Sequence, residues 1–275
     1  MARLFDRRWY LSIGTLDVSD LDLGFTVERS TRREPNTAEI RIWNLSRDSR
    51  ALVEDTPNAR VVLRAGYAED GDPPPVLFVG DKRRAWTERD GPDFVTIVQS
   101  RDGGRAYNQA RISRSYAPGT PVRSVLVDVV EAMGIGRGNL DEFSSAYALR
   151  NGADSFPDGF VASGPVRNVL DDLVRGAGLR WSVQNGALQL QRRGTPLQTR
   201  AVLLSHETGL VESPTRDEHG TVTALCLIQP GLDPGRRVVL ESDVISGGFE
   251  IRKVSYTGET RGNDWHATLE LKALS

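Results

Sequence analysis

Cysteine occurs once in this 275-residue chain, at position 226, and histidine only three times. A lone cysteine excludes an internal disulfide. Within the apolar run ALCLIQ it reads as a small buried hydrophobe, which makes a reducing cytoplasm the natural place for this chain to fold. Long apolar runs are also missing. The longest, such as Val222 to Ile228, fall far short of the twenty or so residues that a membrane-spanning helix needs. Met1 to Tyr10 carries three arginines and Asp6 without an apolar core, so no signal peptide or anchor is expected there. Nor is there an excess of charge of one sign. A formal net charge of −2 provides no general attraction for nucleic acid, so any DNA contact should be loose or local.

The signatures of catalysis are absent as well. His206, His219 and His266 stand far apart, with no HxxxH or CxxC spacing to suggest a metal, and each reads as a surface or loop histidine. No GxSxG nucleophile elbow occurs, and a cysteine in an apolar strand is a poor thiolate because burial favours the neutral thiol. Gly134-Ile-Gly136-Arg-Gly138 superficially resembles a phosphate loop. However, these glycines follow a helical segment rather than a strand, and so read as a helix terminator. Glycan hydrolysis needs only two suitably placed carboxyl groups, and Glu142, Asp154 and Asp158 could supply them. Among 37 acidic residues such pairs have little specificity, and solvated surface carboxylates are the preferred reading. The cluster Lys82-Arg83-Arg84 is closely followed by Glu88 and Asp90 and reads as a solvated strand edge, not a nucleic-acid site. No catalytic, cofactor-binding or metal-binding residue is assigned, and no enzyme activity is expected.

What the chain does contain is β-structure around a helical centre. Its length suits two domains or three small ones, with a single large domain as the alternative. Residues 21–27, 38–44, 60–67, 75–79 and 94–98 are short, rich in β-branched or aromatic residues, and separated by turn sequences such as Asp70-Gly71-Asp72-Pro73-Pro74-Pro75. One helix is predicted among them, Ser46 to Asp55, with Ser46 as N-cap. The period then changes. Residues 121–135, PVRSVLVDVVEAMGI, and 165–179, PVRNVLDDLVRGAGL, match at eight of fifteen positions, and each predicts an amphipathic helix that opens on proline and ends near glycine. The second copy runs into a predicted hairpin turning at Asn185-Gly186. The first runs into a polar stretch ending near Asp158. Strand candidates return at 201–205, 221–229, 236–241, 249–256 and 265–272. The prediction is therefore mainly β with a small α/β insert: residues 1–105, a central domain 106–196, and residues 197–275.

Several blocks of this pattern resemble phage baseplate hub proteins of the late control protein D type. In the first segment they are Asn36 to Ser46, Arg64 to Tyr67, Leu77 to Gly80 and Ser100 to Gly103. In the last segment they are Thr208 to Leu210, Pro230 to Gly235, Val239 to Ser242 and Phe249 to Val254. The resemblance implies two tube-like antiparallel β-barrel domains flanking the helix-containing centre. It further implies a homotrimer whose six such domains form a pseudo-hexameric ring between the sixfold tail tube and the threefold central spike, around the DNA channel. The implied partners are the tube or tube-initiator protein and the spike, with tape-measure and baseplate wedge proteins as further neighbours. DNA would pass only transiently, and no membrane insertion is implied. The implied location is the virion tail baseplate, assembled in the host bacterial cytoplasm. Two alternatives stay open: a distal tail or tube-terminus protein of a non-contractile tail, and a tail-associated peptidoglycan hydrolase. The chain has 32 arginines against three lysines, Lys82, Lys253 and Lys272. That bias suits interface ion pairs, and a GC-rich genome would produce it equally well.

Overall fold

A computed structural model describes residues 6–18 and 20–274, with the backbone alone at Arg105 and Ala106. Residues 1–5, part of the segment expected to lack a leader or anchor, lie outside the described residues. The first stretch contains β1 (Arg7–Ile13), β2 (Leu16–Val18), β3 (Leu23–Ser30), β4 (Thr37–Trp43), α1 (Arg47–Asp55), β5 (Arg60–Tyr67), β6 (Val76–Asp90) and β7 (Asp93–Arg101). The middle contains α2 (Gly104–Gln109), β8 (Arg111–Tyr116), β9 (Thr120–Pro121), α3 (Val122–Met133), α4 (Asp141–Asn151), β10 (Ser155–Phe156), β11 (Phe160–Pro165), α5 (Val166–Gly176), β12 (Leu179–Gln184) and β13 (Ala187–Arg192). The last stretch contains β14 (Val202–Ser205), β15 (Thr215–Arg216), β16 (Val222–Leu227), β17 (Arg237–Glu241), β18 (Gly247–Glu259) and β19 (Trp265–Ala273).

These elements form two compact units. One gathers residues 1–31, 36–102 and 196–275, and the other residues 32–35 and 103–195. The first unit is a 13-stranded sheet in the order β15-β16-β19-β18-β3-β4-β7-β6-β5-β1-β2, with β17 beside β18 and β14 parallel to β17. This corrects the expectation of two separate tube-like barrels. β3 and β18 pair antiparallel from Lys253↔Ser30 to Glu259↔Gly24, so the two outer segments share one sheet and one hydrophobic core. The strand path keeps two ends, and no closed barrel is found among the described residues.

Alternation explains the single core. In one register line across seven strands, Cys226, Ala267, Tyr256, Val27, Ala38, Ser100 and Lys82 are all buried. Side chains two residues apart share a face, so this line packs inward as a set. Trp265 meets Phe25 edge-on, with ring centroids 5.5 Å apart. Polar ties cross from the first segment to the last. Arg29, buried, pairs with Asp233 at 2.9 Å and donates to the Leu77 carbonyl. Arg7 donates to the carbonyls of Glu259, Gly262 and Asn263, and its guanidinium lies 5.3 Å from the Trp265 ring centroid.

The second unit has its own core, built on the two repeated helices. Val122, Val125, Leu126, Val129 and Val130 of α3 and Val166, Val169, Leu170, Leu173 and Val174 of α5 are buried together with Phe143 of α4 and Trp181 of β12. Pro121 and Pro165 sit one residue earlier than expected. They are N-caps with extended backbone rather than first-turn residues, and the following amides donate to Asp154 and Ala110 carbonyls. Gly134 and Gly178, equivalent in the repeat, both take positive φ, +69° and +72°. Asn185 and Gly186 turn the β12–β13 hairpin with φ of 53° and 81°, the double left-handed turn their sequence predicts.

Candidate functional site

The opposite face of the first unit's sheet is polar over most of its width. One register line runs Leu227, His266, Thr257, Thr26, Glu39, Gln99, Arg84, and its neighbour runs Leu225, Thr268, Ser255, Glu28, Thr37, Arg101, Asp81. Both lines span β16, β19, β18, β3, β4, β7 and β6, and none of these fourteen side chains is buried. Two are apolar, both at the β16 end; the rest are hydroxyls, amides, a histidine and charged groups. A hollow of about 410 Å³ opens on this face between Thr26, Glu28, Thr37, Glu39, Gln99 and Arg101.

Charges of both signs are mixed on this face, and some of them are paired. Lys253 pairs with Glu28 at 3.2 Å, Arg41 with Glu39 at 3.2 Å, and the Gln99 amide donates to Glu39 at 3.1 Å. Exposed pairs of this kind add little stability, and their effect is to leave a wetted surface without a strong field of either sign. Such a face offers no convergent nucleophile, base and electrophile. It offers a broad hydrated wall along which another molecule can lie or slide.

Residues singled out in the sequence fall in scattered places. His206 lies in the turn after β14, His219 is exposed beside Glu218, and His266 lies on the polar face 3.9 Å from Asp264. Among the described residues no three His, Cys, Asp or Glu side chains group to hold a metal. Glu142 pairs with Arg192 at 2.7 Å, and no hydrogen bond or ion pair joins it to Asp154 or Asp158. Cys226 is buried in β16, where burial pushes its thiol up to about 12. Tyr256, fully buried, is likewise raised, and its hydroxyl donates to the Leu232 carbonyl at 2.6 Å.

Two sequence readings change in detail. Lys82 is not solvated: it is buried, and its ammonium donates to the Val53 and Glu54 carbonyls at the end of α1. There it satisfies carbonyls that a helix end leaves open. Arg83 and Arg84 are exposed, Arg83 at a bulge where β6 leaves β5 and pairs with β7 alone. The glycines after α3 do more than end a helix. Gly136 exchanges backbone bonds with Gly186 and Leu188, and a Cβ on Gly138 would fall 1.6 Å from the Leu188 carbonyl oxygen. The backbone there lies directly against the β12–β13 hairpin, as no phosphate loop would.

Sequence reasoning did not identify the polar face. Its signal was present as alternating polar positions in 253–257 and 266–270, but only the register lines these positions up across strands.

No protein-family profile matches the chain, and no curated protein matches it in sequence. Solved structures match in fold. The 43 kDa tail protein of prophage MuSo2 from Shewanella oneidensis superposes with a TM-score of 0.69 at 8% identity, over 98% of this chain and 97% of that one. The tail protein from Neisseria meningitidis MC58 gives 0.67 at 10% identity, with the same coverage of 98% and 97%. The Escherichia coli c3393 protein gives 0.56 at 12% identity, over 96% of this chain and 77% of that one; it is described as a type VI secretion component structurally similar to the T4 bacteriophage tail proteins gp27 and gp5. The fold is thus that of phage tail proteins and their secretion-system counterparts.

Proposed function

We propose that this chain is a non-enzymatic structural subunit of a phage-type tail, the hub that joins the tail tube to the central spike as a ring of three copies in the baseplate. The observation that carries this reading is the fold match along practically the full length of both chains to two tail proteins. The strand arrangement supports it. Seven strands on the β3 side of the β3–β18 seam and six on the β18 side give each chain two halves, so three chains supply six to the ring. The polar face of the sheet lines the passage. Its acidic groups Glu28, Glu39 and Asp81 stand among the basic Arg84 and Arg101, so DNA or an extended polypeptide moves past without being held, since strong phosphate binding needs an excess of basic surface. Tube or tube-initiator protein lies on one side of the ring and spike on the other, with tape-measure and wedge proteins as neighbours, and assembly takes place in the host cytoplasm.

Native mass spectrometry of the chain bound to its spike protein tests the reading. Three copies per complex are expected. Six copies would replace the hub with the tube terminus of a non-contractile tail.

A further inference from the structure

A second hollow, of about 610 Å³, lies in the C-terminal half of the same unit between the turn Ser205 to Glu207, the segment Leu210 to Ser213 and the loop Glu241 to Ser246. Glu207, Glu212, Glu241 and Asp243 line it together with serines and His206, and no lysine or arginine does. None of these four carboxylates forms an ion pair or side-chain hydrogen bond within the chain, among the described residues. Exposed aliphatic side chains belong to the same segments. Leu203, Val211 and Val244 are 41%, 48% and 67% exposed, and Leu203 belongs to β14, which pairs with β17 alone. A surface with unpaired carboxylates inside and aliphatic side chains around it suits a partner that brings both cations and an apolar group.

The same chain carries such a group on the other half of its sheet. At the tip of the β6–β7 hairpin Phe94 is 40% exposed, with the Arg50 guanidinium 4.1 Å and the Arg89 guanidinium 5.9 Å from its ring centroid. Neither arginine has a carboxylate partner among the described residues. Phe94 is held in place: its amide donates to Asn44 at 3.1 Å, and Asn44 donates to Asp93 at 2.9 Å. Arginine and aromatic side chains dominate the energetics of protein interfaces, and a prepositioned stack loses little freedom on docking.

We propose that these two patches form a head-to-tail contact between copies of this chain, the Arg50–Phe94–Arg89 stack of one copy entering the acidic hollow around Glu207, Glu212, Glu241 and Asp243 of the next. The partner is a second copy because both complements are on one chain, on opposite sides of the β3–β18 seam. Two different patches that complement each other make a heterologous interface, and a heterologous interface generates a ring when its rotation closes. The guanidinium fork matches carboxylates in geometry as well as charge. The inference rests on the ring reading above and names the surfaces that build the ring.

Full-length variants test it. Cys226 is buried, so Arg89→Cys and Glu212→Cys each place one reactive thiol on the surface. A short bismaleimide added to their equimolar mixture should give a cross-linked heterodimer that neither variant gives alone. In sedimentation experiments, Arg50→Glu with Arg89→Glu should weaken self-association by about tenfold or more, and so should Glu207→Arg with Glu241→Arg, because each sets like charges against each other. Combining all four changes in one chain should restore association to within about threefold of the original. Self-association that neither reversal shifts, or absence of the mixed cross-link at every concentration tested, would overturn this contact. So would a hollow that binds calcium or an unrelated basic protein while the copies stay apart. Three copies on the spike together with any of these outcomes would leave the hub reading standing and discard only the surfaces.

Discussion

The two units of this chain are built in opposite ways. The sheet unit collects three separate stretches, and its central pairing joins Ser30 to Lys253. The helical unit is almost all one stretch, 103–195, helped by residues 32–35, of which Arg33 pairs with Asp171 on α5. Its hairpin β12–β13 closes over two residues, and α3, α4 and α5 follow one another within 55 residues. Closing a long loop costs entropy before any distant contact is made. The helical unit can therefore gain stability from local order, whereas the sheet unit gains none at its seam until both ends of the chain are present. The difference bears on function too: the polar face and both proposed docking patches lie on the discontinuous unit.

If each unit has its own core, large core deletions should act on one unit and spare the other. Trp265→Ala removes an indole packed on Phe25 and should cost the sheet unit about 3–5 kcal/mol. Leu170→Ala, in the core shared by α3 and α5, should cost the helical unit about 2–5 kcal/mol. Urea unfolding followed by circular dichroism should show each variant lowering one transition. A single transition lowered equally by both would mean that the two cores unfold as one block.

A smaller change sharpens the comparison at the seam's periphery. Arg7 collects three carbonyls from the β18–β19 connection and covers Trp265, so it ties β1 to residues more than 250 positions away. Two of these bonds are exposed and one is half-buried, so water recovers part of what Arg7→Ala removes. The expected loss is about 1–2 kcal/mol, confined to the sheet unit's urea transition. Arg7→Lys should recover little, because an ammonium cannot reach three carbonyls as a planar fork does.

The same contrast decides what could be read from the sequence. In the helical unit α3, α5 and the Asn185-Gly186 hairpin were legible because each is specified by neighbours a few residues apart. α4 was not: in DEFSSAYALRN only Phe143 and Ala146 are buried while Leu149 is exposed, so no stripe marks it as a helix. β8, RISRSY, was missed for a similar reason, with Ile112 its only buried side chain. In the sheet unit most strands were legible one by one. Their assembly was not, since a period of two says which face a residue takes and nothing about which strand lies alongside. β3 and β18 therefore read as parts of two domains. Buried charge was equally hidden: Arg29 and Lys82 look like surface residues until Asp233 and the end of α1 are brought to them.

The smallest effects should lie at helix starts, where the two units again differ. α1 begins with a side-chain cap, the Ser46 hydroxyl accepting from the Ser49 amide at 3.1 Å. Ser46→Ala leaves that amide to water at an exposed site, and the expected cost is about 0.5–1 kcal/mol. α3 and α5 have prolines at the same position and no side-chain cap, because their first amides are satisfied by the Asp154 and Ala110 carbonyls of the surrounding chain. Pro121→Ala and Pro165→Ala remove no hydrogen bond. They should cost only the added freedom of the unfolded chain, about 0.4–1 kcal/mol each. Size alone does not separate the two kinds of change, but amide exchange does. Ser46→Ala should speed exchange at Ser49, whose amide has lost its acceptor, more than at the rest of α1. The proline variants should leave Val122 and Val166 as protected, relative to their unit's global stability, as they were before. Selective loss of protection at Val122 or Val166 would mean that the proline's fixed backbone, rather than the distant carbonyl, holds the helix start.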